Sequence, residues 1–272
     1  MDASAWNPDQ YERFRKERSQ PFFDLLALVR RRPGMRIVDL GCGTGALTRI
    51  LHDTLQAHET LGIDSSETML AKSAQFVGAG LRFHLADLRA FNTGTSYDLV
   101  FSNAALHWVP DHPALLRQLT ALVGPDGQLA VQVPANHDHP THVVALEIAA
   151  EPPFSEALGG YARTYNVMPP EAYATLLEGL GYPMQHVRLQ VYGHHLTSRD
   201  DVVEWVKGTL LTDYQQRLPA DLFDCFLERY RSRLLPLLDD ARPYFYPFKR
   251  ILLWGSRTPL STPAETRSPG DA

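Results

Sequence analysis

The sequence predicts an α/β fold, with a doubly wound and mostly parallel sheet of seven strands and a helical cap formed by insertions. Short apolar runs alternate with segments of helical period along the first half of the chain, which is typical of βαβ units. The first run, Ile37 to Leu40, is followed by Gly41, Gly43 and Gly45 and then by a helical pattern from Ala46. A strand, a glycine-rich turn and a helix in this order predict a Rossmann-like sheet.

Each predicted strand is a short apolar run bounded by glycine, proline or polar residues. A turn at Gly124–Gly127 is expected to lead into the fifth strand, because glycine, proline and aspartate favour turns. In chain order, we expect the strands at Ile37–Leu40, Thr60–Asp64, Leu81–Leu88, Tyr97–Asn103, Gln128–Val133, Val187–Tyr192 and Phe248–Gly255.

The predicted helices have capping residues at their starts and apolar residues along one face. Ser19 and Pro21 suit the first turn of a helix from Gln20 to Arg31. Asp111 is expected to cap the helix that follows the fourth strand. Other helical patterns begin at Ala46 and cover Ser198–Leu211 and Ala220–Leu238.

The composition is that of an ordinary globular protein. With 272 residues, 44% of them hydrophobic and 21% charged, the chain can bury a sizeable core. A net charge of −5 argues against nucleic-acid binding, which needs a basic face. Cys42 and Cys225 are too few for a disulfide framework or a metal site. No apolar run reaches membrane length, so we expect a cytoplasmic protein with no membrane partner. We also expect a monomer or a homodimer.

The glycine turn suits two classes of ligand. Gly41-x-Gly43-x-x-Ala46 matches the dinucleotide fingerprint, with Asp64 at about the right distance for a ribose contact. S-adenosylmethionine (SAM), which has a ribose, an adenine and an amino-acid end but no phosphate, suits the same turn. Asp39 favours SAM, because a carboxylate repels a pyrophosphate and attracts the ammonium group of the methionine moiety. This pattern of one acid and three glycines resembles the first motif of class I SAM-dependent methyltransferases.

Acidic residues also end the next two predicted strands. Asp64, with Ser65 beside it, is placed to accept hydrogen bonds from two ribose hydroxyls; alternatively, it caps the following helix. Met69, on the first turn of that helix, either presses on the adenine or belongs to the core. In the class that the motif resembles, the acid after the third strand usually faces the adenine amino group, and the next backbone N–H faces the ring. Asp87 and Leu88 would take these two parts.

Candidates for binding the methyl acceptor follow the fourth strand. Asn103 ends that strand, and His107 and Trp108 come shortly after it, at the edge where ligands of open α/β sheets bind. We expect Asn103 to contact the cofactor. A His107 ring nitrogen and the Trp108 indole N–H would orient the acceptor as catalytic and substrate-binding residues; alternatively, both side chains belong to the core.

Five further residues are weaker candidates. Tyr11 and Arg18 lie on one face of a short amphipathic pattern at the N-terminus, which is either a lid over the cofactor or a helix packed outside the domain. As part of a lid, Tyr11 would touch the substrate and Arg18 the methionine carboxylate. Tyr165, Trp205 and Arg250 either line the substrate pocket or are structural.

The expected domain organisation has five segments. The alternation of strands and helices stops at Pro134, which marks the end of the cofactor-binding core. We expect a helical lid over residues 1–33, a Rossmann-like SAM-binding core over 34–133, a substrate-binding cap with the sixth strand over 134–247, a closing strand over 248–257 and a disordered tail over 258–272.

Several longer stretches resemble the trans-aconitate 2-methyltransferase family. The resemblance runs from Trp6 to about Arg257 and includes motifs outside the glycine turn. It implies a SAM-dependent methyltransferase that forms the methyl ester of a small carboxylic acid and releases S-adenosylhomocysteine. The stretches are Trp6–Tyr11, Glu17–Pro21, Gly62–Ser66, Trp108–His112, Ala130–Pro134, Pro140–His142 and Glu204–Thr209.

Three departures from the family's pattern concern the acceptor. His107 stands where the family usually has glutamine, and the surrounding triplet is similar to plant carboxyl methyltransferases of the salicylic-acid group. After Thr209 the family tends to continue with Gly-Leu-Arg-Pro-Tyr, whereas this chain has Asp213 and no arginine in that stretch. Gln20 stands where the family often has a second arginine. These departures make trans-aconitate itself a less favoured acceptor, so the expected acceptor is either a trans-aconitate-like acid or another free acid.

Three other functions are compatible with the sequence. A methyltransferase of the same class could act on a carrier-bound malonyl group or on a small-molecule hydroxyl or amine. A regulator that binds SAM without turnover would keep the same glycine turn. A nicotinamide oxidoreductase would also use such a turn, although the sequence offers no candidate for a hydride-transfer site.

Overall fold

A seven-stranded sheet organises the chain in the computed structural model, which describes residues 19–92 and 94–259. The strands are β1 (Arg36–Leu40), β2 (Glu59–Asp64), β3 (Leu81–Leu85), β4 (Tyr97–Asn103), β5 (Val123–Pro134), β6 (Met184–Leu196) and β7 (Tyr244–Ser256). Their order is β3-β2-β1-β4-β5-β7-β6, and the neighbours from β3 to β5 pair in parallel. From β1 in the middle of the sheet, β2 and β3 lie on one side and β4, β5, β7 and β6 on the other. The predicted doubly wound, mostly parallel sheet is therefore confirmed.

The helices begin with α1, which covers residues 19–26 of the described chain. The others are α2 (Ala46–Leu55), α3 (Glu67–Ala71), α4 (His112–Ala121), α5 (Pro140–Ala149), α6 (Phe154–Ala157), α7 (Pro170–Gly179), α8 (Asp200–Lys207), α9 (Thr212–Arg217) and α10 (Ala220–Leu234). Asp111 caps α4 by accepting a hydrogen bond from Ala114 N at 3.0 Å, as predicted. Across the part of the chain that the structure describes, no helix combines the length and apolar character needed to cross a membrane.

Several predicted boundaries were wrong. The helix expected over Ser198–Leu211 covers Asp200–Lys207, and the strand expected at Val187–Tyr192 covers Met184–Leu196. The helix expected from Gln20 to Arg31 ends at residue 26. β3 ends at Leu85, so Asp87 lies in the turn after the strand. Gly124–Gly127 is not a separate turn but a bulge within β5, because Tyr97 pairs with Val123 and Leu99 with Gln128. A Cβ atom at Gly127 would lie 2.8 Å from the Tyr97 carbonyl oxygen, which explains the glycine.

Two compact units divide the chain. The first unit comprises Gln20–Gln132, Met168–Arg188 and the chain from Leu252; the second unit comprises Val133–Val167 and Leu189–Ile251. This division differs from the predicted one, which placed residues 20–33 in a lid and residues 168–188 in the cap. The rest of the predicted lid, residues 1–18, and the tail from residue 260 lie outside the described residues.

The first unit includes residues 20–33 because α1 packs into its core. Phe22 and Leu25 are at most 1% exposed, and the Phe22 ring contacts the Phe101 ring of β4 edge to face. The unit includes residues 168–188 because buried tyrosines anchor them. Tyr173 is fully buried and its hydroxyl is hydrogen-bonded to His112 Nδ1 of α4.

The second unit has its own hydrophobic core, which is rich in aromatic residues. α5, α8 and α10 supply many of its members, among them Trp205 and Phe226. The Phe226 ring stacks on Tyr214 with ring centroids 5.0 Å apart and contacts Phe154 edge to face. Burial of these large side chains supplies the main favourable free energy for this unit.

Candidate functional site

A cavity of about 580 Å³ lies in the first unit at the carboxyl ends of β1, β2 and β4. This is the edge of an open α/β sheet where ligands bind, and the volume is that of a small-molecule site. Its lining is Gly41, Gly43, Ile63, Asp64, Ser65, Ser66, Met69, Ala86, Asp87, Leu88, Arg89, Ala104, Ala105, Trp108 and Val109. Eight of the predicted site residues are therefore brought together: the cofactor candidates Gly41, Gly43, Asp64, Ser65, Met69, Asp87 and Leu88, and the acceptor candidate Trp108.

The glycine turn forms the floor of this cavity. Gly41 N and Cys42 N both donate to Ile63 O, at 2.8 and 2.9 Å, which fixes the turn to the end of β2. Gly41 has a φ of +77°, and a Cβ atom there would lie 2.2 Å from Ala105 Cβ. Gly43, with a φ of +56°, has no atom within 4 Å of the position of a Cβ. The turn is thus packed against protein at Gly41 and open at Gly43.

Gly45 does not line the cavity and instead begins α2. Its φ is +76°, and a Cβ atom there would lie 2.7 Å from the ring of Phe83. Gly45 is therefore required for the packing of the helix against β3. Buried Cys42 fills space beneath the turn, and burial raises the pKa of its thiol.

Asp64 connects the turn to the start of α3. Its Oδ2 accepts a hydrogen bond from Gly43 N at 2.8 Å and its Oδ1 accepts one from Ser66 N at 2.9 Å. Ser66, not Asp64, is the N-cap of α3, because its side chain accepts from Met69 N. A carboxylate offers about four acceptor positions, so both oxygens keep capacity for ribose hydroxyls.

Asp39 lies beneath the turn and is not part of the lining. Its side chain is 4% exposed and accepts a hydrogen bond from Thr48 Oγ1 at 2.6 Å. Burial raises the pKa of Asp39 to about 7, the Thr48 hydrogen bond opposes that rise, and the negative charge of Asp64 adds to it. A direct contact between Asp39 and a cofactor therefore stays a prediction.

Asn103, the last residue of β4, carries a buried acceptor oxygen. Its Oδ1 has no hydrogen-bond partner within the described chain. Ala104 and Ala105, which follow it, line the cavity, although Asn103 itself does not. Because a buried oxygen without a partner is destabilising, this position suits a ligand donor such as an ammonium group.

The lining also includes Met69, Leu88 and an ion pair between Asp87 and Arg89. Met69 is 45% exposed, so it is not a core residue and offers an apolar surface to a ligand. Arg89 donates from Nε to both carboxylate oxygens of Asp87, at 3.0 and 2.9 Å, and these hydrogen bonds lower the pKa of Asp87. Arg89 was not among the predicted site residues, because a single arginine after a strand matches no motif.

Trp108 lies on the rim of the cavity and His107 beside it. The Trp108 side chain is 57% exposed, which is unusual for a large aromatic residue. Its ring centroid lies 4.6 Å from that of His107. His107 is half-buried and does not belong to the lining, so only Trp108 of this pair faces the cavity in the described structure.

The remaining candidate residues lie in the second unit or outside the described residues. Trp205 is 6% exposed and packs against the His194 ring at 4.7 Å, in the core of the second unit, which is the structural alternative. Arg250 stands over the Phe248 ring at 4.9 Å, in the same unit. Tyr165, also in the second unit, is hydrogen-bonded through its hydroxyl to His142 Nδ1 at 2.9 Å. Tyr11 and Arg18 lie outside the described residues.

The cavity fits SAM on three grounds. A carboxylate at the end of β2 suits a ribose, a buried oxygen without a partner at the end of β4 suits an ammonium donor, and the open position at Gly43 lets a ligand approach the backbone. Asp64 and Asn103 would hold the polar groups of the cofactor, and Met69 and Leu88 its adenine, while contact with Asp39 stays a prediction.

Comparisons with known proteins identify the family. Residues 11–187 match the family model described as a methyltransferase domain. A protein named trans-aconitate 2-methyltransferase from Deinococcus radiodurans is 42% identical over 262 residues, which cover 94% of this chain and 100% of that protein. Its namesake from Variovorax paradoxus is 37% identical and covers 91% of this chain and 94% of its own.

Among solved structures, the YcgJ protein of Bacillus subtilis aligns with a TM-score of 0.58 at 14% identity, over 88% of this chain and 98% of that one. This likeness supports the fold. The family model and the relatives decide between the two ligand classes that the glycine turn allowed. The chain belongs to the family of class I methyltransferases, whose cofactor is S-adenosylmethionine, and it is similar over nearly its whole length to the trans-aconitate 2-methyltransferases.

Proposed function

We propose that the chain is a carboxyl O-methyltransferase that forms the methyl ester of a small carboxylic acid. The observation that carries this proposal is the 42% identity to a protein named trans-aconitate 2-methyltransferase, over 94% of this chain. The departures at His107 and Asp213 favour an acid other than trans-aconitate itself.

The ionisable groups of the cavity support an acceptor that needs no base. Of the described lining residues, the ionisable ones are Asp64, Asp87 and Arg89. Asp64 is bonded to two backbone N–H groups, and Asp87 is paired with Arg89. A hydroxyl or amine acceptor requires a group that removes a proton, whereas a carboxylic acid with a pKa of about 4 is already ionised at pH 7.

The protein's contribution is to place the acceptor. When bound, SAM supplies a methyl group whose bond to sulfur breaks as its bond to a carboxylate oxygen forms, with no proton transferred. The Trp108 indole N–H would donate to the acceptor carboxylate and hold it in line, with His107 fixing the indole or adding a second donor. Good orientation can supply roughly 7–11 kcal/mol of the barrier.

The test is transfer of labelled methyl groups from SAM to a panel of mono-, di- and tricarboxylic acids. A methyl ester releases methanol in alkali, whereas methyl ethers and methylamines do not. Alkali-labile product from at least one free acid is the expected result. Alkali-stable product, or transfer only to carrier-bound or hydroxylated compounds, would overturn the proposal.

A Trp108→Phe variant is expected to lose 10- to 100-fold in kcat/KM, because a hydrogen bond to a charged group contributes about 1.5–3 kcal/mol. Its thermal midpoint should not change, since the Trp108 side chain is 57% exposed. S-adenosylhomocysteine affinity, measured by calorimetry, serves as the control and should stay within about threefold, because phenylalanine keeps an aromatic ring on the rim. An unchanged kcat/KM would remove Trp108 from the mechanism.

A further inference from the structure

Two residues in left-handed backbone conformations bound the loop that carries Trp108. Ala104 has a φ of +56° and Asp111 a φ of +53°, and residues 105–110 between them are referred to below as the Trp108 loop. In the described chain, four non-glycine residues have a positive φ, and these are two of the four. Such conformations are strained and persist only where the surrounding structure fixes them. The Trp108 loop must therefore be held by contacts from outside itself.

Leu106 is the point at which α4 contacts this loop. The Nε2 atom of His112, the first residue of α4, lies 3.0 Å from Leu106 O. The same carbonyl accepts a hydrogen bond from Val109 N at 2.9 Å, which closes the short helical turn Leu106–Trp108. Leu106 and His112 are 1% and 2% exposed, so water does not compete for these hydrogen bonds. Leu106 O is therefore fixed both within the turn and from α4.

The partners of His112 decide its tautomer. Leu106 O can only accept, so Nε2 carries the proton and Nδ1 offers a lone pair. The fully buried Tyr173 of α7 donates its hydroxyl to Nδ1, and the Tyr173 oxygen in turn accepts from Met168 N at 3.3 Å. Three hydrogen bonds thus run in one direction, from Met168 N through Tyr173 and His112 to Leu106 O.

Both side chains are in the protonation state that these hydrogen bonds require at pH 7. Burial lowers the pKa of His112, and the hydrogen bond to Leu106 and the charge of Asp111 oppose that effect only in part. Burial raises the pKa of Tyr173, which the hydrogen bond from Met168 opposes. A neutral imidazole therefore accepts from a protonated hydroxyl, and the series of hydrogen bonds is complete without a buried charge.

The position of Trp108 depends strongly on its backbone, because 57% of its side chain is exposed. Packing around the ring can restrain the indole only in part. Trp108 N donates to Ala105 O at 3.2 Å, within the same turn whose Leu106 carbonyl contacts His112. Since orienting an acceptor needs a donor held to within about 0.5 Å, whatever fixes this turn also fixes the indole N–H.

We propose that His112 and Tyr173 are positioning residues, which hold Trp108 on the rim of the cavity through Leu106 O. The inference rests on the proposed function, in which the Trp108 indole orients the acceptor. Neither His112 nor Tyr173 is among the described residues that line the cavity, so the pair acts through the Trp108 loop and not on a ligand. All of these residues belong to the first unit.

Tyr173→Phe and Tyr182→Phe separate positioning from stability. Each variant removes one buried hydroxyl that joins residues 168–188 to α4, since Tyr182 donates to Thr120 Oγ1 at 3.2 Å, near the end of that helix opposite His112. Both variants should therefore lower the thermal midpoint of the ligand-free protein. We expect only Tyr173→Phe to change the surroundings of Trp108.

Fluorine NMR of protein labelled with 5-fluorotryptophan measures that change. The chain has four tryptophans, and the Trp108 resonance is assigned by its loss in Trp108→Phe. In Tyr173→Phe this resonance should shift or broaden while that of Trp254, buried in the same unit, stays in place. In Tyr182→Phe the Trp108 resonance should not change. An unaltered Trp108 resonance in Tyr173→Phe, or an equal change in Tyr182→Phe, would overturn the inference.

The same two variants should differ in turnover. With SAM saturating, Tyr173→Phe should lower kcat/KM for the esterified acid at least fivefold and leave S-adenosylhomocysteine affinity within twofold, because Tyr173 does not line the cavity. Tyr182→Phe should leave both quantities within twofold. An equal loss of kcat/KM in the two variants would assign the Tyr173 hydroxyl to stability alone and overturn the inference.

His112→Gln and His112→Leu test the hydrogen bonds independently of Tyr173→Phe. Glutamine keeps a donor for Leu106 O and an acceptor for the Tyr173 hydroxyl, whereas leucine keeps neither. His112→Leu should change the Trp108 resonance and lose at least fivefold in kcat/KM, and His112→Gln should keep kcat/KM within twofold of the unaltered protein. If glutamine and leucine give the same loss, these hydrogen bonds do not position Trp108.

Failure of the proposed function gives a different result. If Tyr173→Phe changes the Trp108 resonance but Trp108→Phe leaves kcat/KM unaltered, the indole has no part in methyl transfer and the pair still positions it. If Trp108→Phe lowers kcat/KM while Tyr173→Phe changes neither the resonance nor kcat/KM, the role of Trp108 stands and the positioning inference is wrong.

Discussion

A Gly41→Ala variant is expected to lose about 2–5 kcal/mol of folding free energy, the sum of overpacking and of a left-handed backbone at a residue with a side chain. The new Cβ would lie 2.2 Å from Ala105 Cβ and 3.6 Å from Ala105 Cα, so the backbone after β4 would have to move. The residue also has a φ of +77°. Urea denaturation of the ligand-free protein measures this loss, and S-adenosylhomocysteine binding should fall with it.

Gly43→Ala is the matched control, because it introduces the same methyl group into the same turn. The φ of Gly43 is +56°, but no atom lies within 4 Å of the new Cβ, so only the backbone cost of about 1–2 kcal/mol applies. The methyl group would instead enter the cavity, which Gly43 lines. This variant should therefore fold and bind cofactor at least tenfold more weakly. Equal stability of the two variants would show that the contact with Ala105 is not the reason that position 41 requires glycine.

The sequence was most informative where the signal is local. The glycine turn, Asp64 at the end of β2 and the cap at Asp111 depend on residues within a few positions of one another, and the structure has them as predicted. The reason is physical: a positive φ, a capped N–H group and a buried strand each require a particular residue at a particular position. Parallel strands then bring these ends to one edge of the sheet.

Long-range packing was not predictable in this way. Residues 168–188 join the first unit because Tyr173 bonds to His112, a residue far from it in sequence, and no periodicity reports such a pairing. Trp205 shows the same limit, since an aromatic residue on a helix suits a pocket or a core equally, and here it is 6% exposed.

Asp39 should make the ligand-free protein less stable as the pH rises from about 4 to 7. Burial raises its pKa from 3.8 to about 7, so the folded state holds this proton more tightly than the unfolded chain. The corresponding stability is fully present below pH 3.8 and is lost as the pH rises to about 7. A rise of about three in the pKa of Asp39 corresponds to about 4 kcal/mol of folding free energy.

Asp39→Asn removes the ionisation and keeps an oxygen that can accept from Thr48 Oγ1. At pH 8 its free energy of unfolding should exceed that of the unaltered protein by about 2–4 kcal/mol. The difference should vanish near pH 4. Asp53→Asn is the control: it removes the same charge from an exposed ion pair with Arg49 of α2, so it should change the free energy of unfolding by less than about 1 kcal/mol at either pH.

Cofactor binding should respond in the opposite sense if Asp39 contacts the cofactor as predicted. An ionised Asp39 would then attract the ammonium group of the methionine moiety, so Asp39→Asn should bind S-adenosylhomocysteine at least tenfold more weakly at pH 8. For the unaltered protein, affinity should fall as the pH drops below 7, because binding must then first remove a proton from Asp39. A stabilised Asp39→Asn protein with unchanged affinity would assign Asp39 to the support of the turn alone.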